Sequence, residues 1–257
     1  MIVKAAVAPL FAQPDAESER VDEVLHGWPL EILGQVGDFW HVRTDYGYEG
    51  YAKTCHCGLD PQSPAGGQLN PTMTILNFAD VVAKPDVRAE VLETLPRGAF
   101  VSEIGEACET PYSKIMLATE QMGYIRTKHL GTPPTSPTRQ NLLNAAKFYL
   151  GVGYRWGGKT PLGIDCSGLV FMAYRLNCSK IWRDAHFKEG YAIQKISPKD
   201  AKMGDLVYFP GHVAMLTGQG DEIIHAAHAN DEVLIEKISK NVKLKNNILY
   251  YGSIFQN

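Results

Sequence analysis

Apolar residues in the first half of the chain gather in short β-rich runs, such as FWHVRT, Phe39 to Thr44, with turn residues at regular intervals between them. Runs of this kind predict short β-strands and no helical stripe. The pattern changes after about Pro137. In QNLLNAAKFYL, Gln140 to Leu150, Leu143, Ala146, Lys147 and Leu150 fall on related faces of a helix. A glycine-rich aromatic loop, Gly151 to Gly158, follows, and then IDCSGLVFMAY, where Leu169, Val170, Ala173 and Tyr174 form the inner stripe of a second helix. The runs DLVYFP, HVAMLTG, EIIHAA and VLIEKI predict strands after it.

Two stretches rich in Pro, Gly, Ser and Thr, DPQSPAGGQLNPT from Asp60 and GTPPTSPTRQ from Gly131, suit neither a regular helix nor a central strand. They divide the chain into predicted domains at 1–60, 70–130 and 137–257. The first two are copies of one unit: Pro14-Asp15 matches Pro85-Asp86, Gly27 matches Gly98, and Gly50-Tyr51 matches Gly123-Tyr124, at offsets of 71 to 73 residues. Duplication explains this better than coincidence, and each copy predicts a small β-barrel. The copies resemble bacterial Src-homology-three-like modules, marked by a Pro-containing turn, a Leu-x-x-Gly turn and a late Gly-Tyr strand.

Composition narrows the classes. The 257 residues are 45% hydrophobic and 21% charged with a net charge of -3, which leaves no basic footprint for nucleic acid. No apolar run reaches the ~18 residues of a membrane span. The opening MIVKAAVAPLFAQPD lacks a signal-peptide core, so the chain as written predicts a cytoplasmic protein; removal of a leader would make it extracellular or periplasmic. Five cysteines, Cys55, Cys57, Cys108, Cys166 and Cys178, are an odd set in a chain of this length and favour a reducing compartment over a disulfide framework. Cys55-His56-Cys57 has no second ligand pair at zinc spacing, and no phosphate loop or dinucleotide fingerprint occurs. The expectation is a monomer without metal or cofactor.

Asp165 and Cys166 carry the chemistry if the second helix starts there. Asp165 is then the N-cap and Cys166 lies in the first turn, where unpaired N–H groups and the helix dipole favour a thiolate and can donate to an oxyanion. A nucleophilic thiol needs a base and a group to orient that base. His212 opens one strand and His225 lies in the next. A lone cysteine before an apolar run is usually a small core residue, and a histidine flanked by Val and Ile is more often a satisfied sheet residue, as His228 near its turn is expected to be. The order cysteine, histidine, histidine on helix, strand and strand is what favours catalysis.

YRWGGKTPLGIDCSGLV, MGDLVYFPGHVAMLTG and IIHA together resemble the NlpC-type family of bacterial cell-wall cysteine peptidases, over nearly all of the third domain. The resemblance implies an α+β architecture: a papain-like C-terminal domain, its cysteine-bearing helix packed on an antiparallel sheet, preceded by two small β-barrel modules. It implies hydrolysis of murein stem peptides, commonly between γ-D-glutamate and a diamino acid, with murein-derived small peptides as partners. By the same resemblance Cys166 is the nucleophile, His212 the base, His225 the orienting residue, and Tyr154 a hydroxyl near the oxyanion. Tyr154 also suits packing under the loop. Asp165 and Ser167 lie by the substrate in relatives, although Asp165 serves equally as a plain N-cap.

IWRDAHF, Ile181 to Phe187, refines the expectation. Neighbouring charges such as Arg183-Asp184 are by default a surface ion pair. In NlpC-type enzymes that recycle murein fragments, an aspartate eighteen residues after the cysteine meets the free amine of the substrate's L-alanine; Asp184 has that spacing. A buried ammonium needs a carboxylate partner, and a site built for one excludes acylated amines. In those relatives the first barrel closes the pocket with a glutamate and a tyrosine. Glu19 and Tyr48 match best, with Tyr46 and Tyr51 close by. The competing expectations are a murein-binding wall hydrolase acting on intact peptidoglycan, and an amidase or acyltransferase on the same core.

Overall fold

The computed structural model describes residues 1–58, 70–105 and 110–255, and divides into two compact units, Met1–Thr132 and Pro133–Asn257. Cys108 and most of the first Pro/Gly stretch, residues 60–69, lie outside the described residues.

The N-terminal unit is β-rich. Its strands are β1 (Ile2–Val3), β2 (Val7–Phe11), β3 (Arg20–Leu25), β4 (Leu30–Val36), β5 (Phe39–Thr44), β6 (Glu49–Lys53), β7 (Cys57–Gly58), β8 (Asn70–Thr74), β9 (Phe78–Val82), β10 (Val91–Pro96), β11 (Phe100–Glu103), β12 (Tyr112–Met116), β13 (Met122–Arg126) and β14 (Leu130–Gly131). FWHVRT is β5 residue for residue. One antiparallel sheet has the order β3-β2-β6-β5-β4, a second the order β10-β9-β13-β12-β11-β8-β14, and β1 pairs with β7. The stretch from Asp60 was expected to hold no central strand, yet its last residues, Asn70 to Thr72, belong to β8, which lies between β11 and β14. They pair there with β11 alone, because β14 meets only Met73 and Thr74; Pro71 thus sits where a missing N–H breaks no ladder on the open side.

The duplication is visible in backbone detail. Asp15 and Asp86 each accept a hydrogen bond at Oδ1 from the N–H two residues on, Glu17 and Arg88. Ala12 bonds Glu19 in one copy as Ala83 bonds Glu90 in the other. Gly27 and Gly98 both hold a positive φ, 76° and 89°, a conformation that L side chains rarely adopt. The copies are also fastened together. His26 Nε2 accepts from the Ala118 N–H at 2.9 Å, which obliges Nδ1 to donate to the Lys4 carbonyl at 2.8 Å. Trp28 Nε1 donates to the Gly98 carbonyl at 2.9 Å.

The C-terminal unit contains α1 (Arg139–Lys147), β15 (Lys159–Thr160), β16 (Gly163–Ile164), α2 (Cys166–Arg175), β17 (Gln194–Ile196), β18 (Leu206–Phe209), β19 (His212–Leu216), β20 (Glu222–Ala227), β21 (Glu232–Lys237), α3 (Val242–Lys245) and β22 (Tyr250–Ser253). The four predicted runs are β18 to β21. They belong to an antiparallel sheet of order β17-β22-β18-β19-β20-β21, and α2 packs on β19 and β20 and against α1. Among the described residues no helix is long and apolar enough to cross a membrane.

Two expectations about the helices change. α1 ends at Lys147, and Gly151 turns the chain with φ 76°, so Lys147 and Leu150 are exposed while Leu142, Leu143, Ala145 and Ala146 face the core. α2 has no inner stripe: every residue from Cys166 to Tyr174 is buried, the mark of a central helix rather than a surface one. Asp205, from the Gly-Asp-Leu segment, is fully buried and pairs with Arg139 at 2.8 Å, accepting also from Ser253 Oγ, which ties α1 and β22 to the sheet.

Candidate active site

Gly158, Gly163 and Gly168 bring the loop, β16 and α2 into backbone contact. A Cβ at Gly168 would stand 2.2 Å from the Gly158 carbonyl oxygen, and one at Gly158 would stand 2.4 Å from that of Gly163. Only glycine fits such an approach, so the Gly-Gly and Ser-Gly pairs of the sequence are one packing solution. The result presses the N-terminus of α2, and Cys166 with it, into the loop.

Asp165 caps α2. Its Oδ1 accepts from the Gly168 N–H and from Ser167 Oγ, and its Oδ2 accepts from the Gly157 N–H. Arg183 completes the cluster: Nη1 donates to Asp165 Oδ1 at 3.0 Å and to Ser167 Oγ at 2.8 Å, and Nη2 to Asp165 Oδ2 at 3.0 Å and to the Gly158 carbonyl at 3.3 Å. Arg183 is 1% exposed. The surface ion-pair reading of Arg183 therefore fails: its fork is buried in a bidentate grip on the cap of the cysteine helix. Eighteen residues separate the partners, and no local pattern announces the contact.

Cys166 is the first residue of α2 and is buried. The backbone N–H groups of Val213 and Ser167 and the Arg183 charge favour a thiolate. Burial, and after it the Asp165 charge, oppose them and push the thiol up to about 12. Burial and the capping carboxylate thus work against the thiolate that the helix end favours.

His212 begins β19 and His225 lies in β20. Met215 opposes Ile224 and Leu216 opposes Ile223; carried on, that register places His212 diagonal to His225 on one face. Their rings meet with Nε2 of His212 2.8 Å from Nδ1 of His225. Burial draws both down to about 4. At His212 the His225 charge lowers it further, Glu236 opposes this, and Lys243 adds to it. At rest the pair is neutral, and a neutral imidazole is what a base must be.

Tyr154 bonds the Asp231 carbonyl through its N–H and sets its ring edge-on to His228 at 5.1 Å. Burial first, then the Cys166 and Asp165 charges, hold its phenol well above the ordinary value, so it is a hydroxyl donor. His228 is exposed in the turn beyond β20 rather than satisfied within a strand. A cavity of about 360 Å³ is lined by Tyr154, His212, His225, Glu236, Lys243 and Asn247, among others. Asp184 is half-buried just after Arg183. Glu19 and Tyr48 stand on the N-terminal unit. Glu19 is exposed in the turn before β3, and Tyr48 leads into β6 with its N–H on Thr44 Oγ1. Tyr46 is buried with its hydroxyl on Asp22, and Tyr51 stacks on His41 at 4.8 Å.

The residue missed in the sequence is Glu236. Its Oε1 lies 2.9 Å from His225 Nε2, and Asn241 Nδ2 donates to its carboxylate. The approach to Nε2 is off the N–H direction, a close contact rather than a formed hydrogen bond. Nothing in VLIEKI sets Glu236 apart from the other polar positions of the run. Among the described residues no three His, Cys, Asp or Glu side chains cluster closely enough to hold a metal ion, and Cys55 is exposed while Cys57 is buried.

A cysteine at the start of a central helix, facing an antiparallel sheet that carries a paired histidine couple, defines the papain-like cysteine peptidase class. Within it, the NlpC/P60 family matches residues 151–250, and the bacterial SH3 domain matches residues 6–54. The chain is 36% identical over 270 residues to dipeptidyl-peptidase 6 of Lysinibacillus sphaericus, covering 99% of each. It is 32% identical over 139 residues to the γ-D-glutamyl-L-lysine dipeptidyl-peptidase of Bacillus cereus, 48% of this chain and 40% of that one. An NlpC/P60 family protein from Bacillus cereus shares the fold, with a TM-score of 0.83 over 97% of each chain at 18% identity. The chain belongs to the NlpC/P60 family of cell-wall cysteine peptidases.

Proposed function

We propose that the chain is an endopeptidase for the γ-D-glutamyl-diamino acid bond of murein-derived peptides whose N-terminal L-Ala is free. The observation that carries the reading is the Cys166 thiol held by the Val213 and Ser167 amides, one residue from His212, whose far nitrogen is engaged by His225. The names of the two relatives support it: each is a dipeptidyl-peptidase, and release of a dipeptide requires recognition of a free amino end.

With Nε2 committed to His225, Nδ1 of His212 takes the Sγ proton as sulfur attacks the γ-glutamyl carbonyl carbon. A C–S bond forms and the carbonyl electrons move to oxygen. The oxyanion is met by the Tyr154 hydroxyl and a first-turn amide of α2, donors aimed where charge develops. Collapse breaks the C–N bond, and the departing nitrogen takes its proton from His212. Water then attacks the thioester, gives a proton to His212, and releases the acid and the thiol. No cofactor enters these steps. His225 orients His212, and Asp184 receives the substrate ammonium. Asp165 and Ser167 act behind the nucleophile through Arg183.

The same proposal divides the chain into barrel modules at 1–60 and 70–130 and a peptidase domain at 137–257, and gives it recycling of released wall fragments in the cytoplasm. The test is incubation with L-Ala-γ-D-Glu-diamino acid peptides, free or N-acetylated, with products identified by mass spectrometry. The free peptide should yield L-Ala-γ-D-Glu and the acetylated one should persist. Equal cleavage of both would remove the role of Asp184. Cleavage of intact murein, or of an acyl bond other than the γ-glutamyl one, would replace the reading with the wall-hydrolase or acyltransferase alternatives.

A further inference from the structure

Beyond the cysteine and the two histidines, we propose that Glu236 is a positioning residue that fixes the proton arrangement of both rings, so that Nδ1 of His212 is the bare nitrogen presented to Cys166. The inference rests on the reading of Cys166 and His212 given above.

Three strands build the line. β19, β20 and β21 run antiparallel, and Glu236 pairs directly with Ile223, so it lies diagonal to His225 on the same face of the sheet. The side chains then run His212, His225, Glu236, with separations of 2.8 and 2.9 Å. An imidazole pair has two ways to share protons, and nothing within the pair chooses between them. The carboxylate chooses. Glu236 accepts only, so it favours hydrogen on Nε2 of His225; Nδ1 of His225 becomes an acceptor, Nε2 of His212 its donor, and Nδ1 of His212 is left bare. The opposite arrangement would put a hydrogen on Nδ1 of His212 and leave it unable to accept the thiol proton.

Two further observations support the assignment. His225 Nε2 is fully buried and makes no formed hydrogen bond, so the nearby carboxylate answers an unmet need. Asn241, whose Oδ1 caps the Leu244 N–H, donates Nδ2 to both Glu236 oxygens, at 3.1 and 3.4 Å, and so anchors the carboxylate from α3. Lys243 of the same short helix acts on His212 in the opposite sense to Glu236.

The test compares wild-type enzyme with Glu236→Gln and Glu236→Asp. Glutamine can donate as well as accept, so it no longer selects one arrangement. We expect E236Q to lose roughly ten- to hundredfold in kcat, the range for groups that orient a working histidine, with KM within about twofold. E236D should recover part of the loss. Nitrogen-15 spectra of the histidine rings, recorded in a Cys166→Ala background, should show hydrogen on Nε2 of both rings with Glu236 present and a mixture in E236Q. An E236Q enzyme with wild-type kcat and unchanged ring spectra would overturn the proposal, as would a loss confined to KM. Cys166→Ala and His212→Ala separate the two levels. If either keeps turnover, the catalytic reading itself falls; if both are inactive and E236Q is normal, only the role of Glu236 falls.

Discussion

His26 and His225 are both buried imidazoles drawn below their ordinary value by burial, yet they serve opposite ends. In the N-terminal unit His26 has both nitrogens satisfied, by the Ala118 N–H and the Lys4 carbonyl, and neither can take a proton without breaking a bond. In the C-terminal unit His225 bonds at Nδ1 and meets only an oblique carboxylate at Nε2. The same contrast separates the Asp165, Ser167 and Arg183 cluster, filled on every side, from the line of Cys166, His212 and His225. A saturated buried network fastens; one with capacity in hand can move a proton.

The contrast is testable from its strongest form downward. Removing the unsaturated groups, by Cys166→Ala or His212→Ala, should cut kcat by roughly 10³-fold or more while leaving the urea midpoint close to wild type; a large loss of stability would erase the distinction. Removing a saturated one does the reverse. Arg183→Ala leaves Asp165 buried without its counter-ion and should cost about 3–5 kcal/mol in chemical denaturation, since breaking a buried pair strands the other charge.

The pH dependence of kcat/KM comes next. His212, drawn down to about 4, is bare above that value and loses its role as pH falls through it, so the acid limb belongs near 4. With the thiol up at about 12, no rise is expected between pH 6 and 10 from thiolate formation. The alkaline limb instead follows the substrate's own amine, near about 8, and its absence would count against a required ammonium. The smallest effect concerns His26. Its folded-state value is lowered, so the unfolded chain binds the proton more readily, and stability falls as pH drops below 6.5. Thermal unfolding of the full chain between pH 7.5 and 5 should show the decline, and His26→Gln should flatten it.

Much of this was legible in the sequence. FWHVRT gave its strand residue for residue, the four late runs became β18 to β21, and the paired glycines at positions 27 and 98 took the same backbone conformation. These are local patterns, set by short β-rich runs and by what a turn demands. What escaped depends on groups far apart in the chain. Arg183 looked like half of a surface pair because its partner lies eighteen residues away, and nothing in VLIEKI sets Glu236 apart, because its worth comes from a ring on the neighbouring strand β20. The thiolate expectation lacked one influence for a related reason: a helix end favours an anion, while burial and the Asp165 carboxylate weigh against it, and burial does not show in DCSG.

The fastening at His26 and Trp28 bears on the history of the duplication. A descendant that began after residue 69 would lack the ring that receives the Ala118 N–H and the indole that answers the Gly98 carbonyl. One that lost the second copy would strand the same imidazole and indole. Once the two halves had exchanged these bonds, gene loss could no longer trim the pair back to a single copy without penalty. Two copies that exchange such bonds stand or fall as one part.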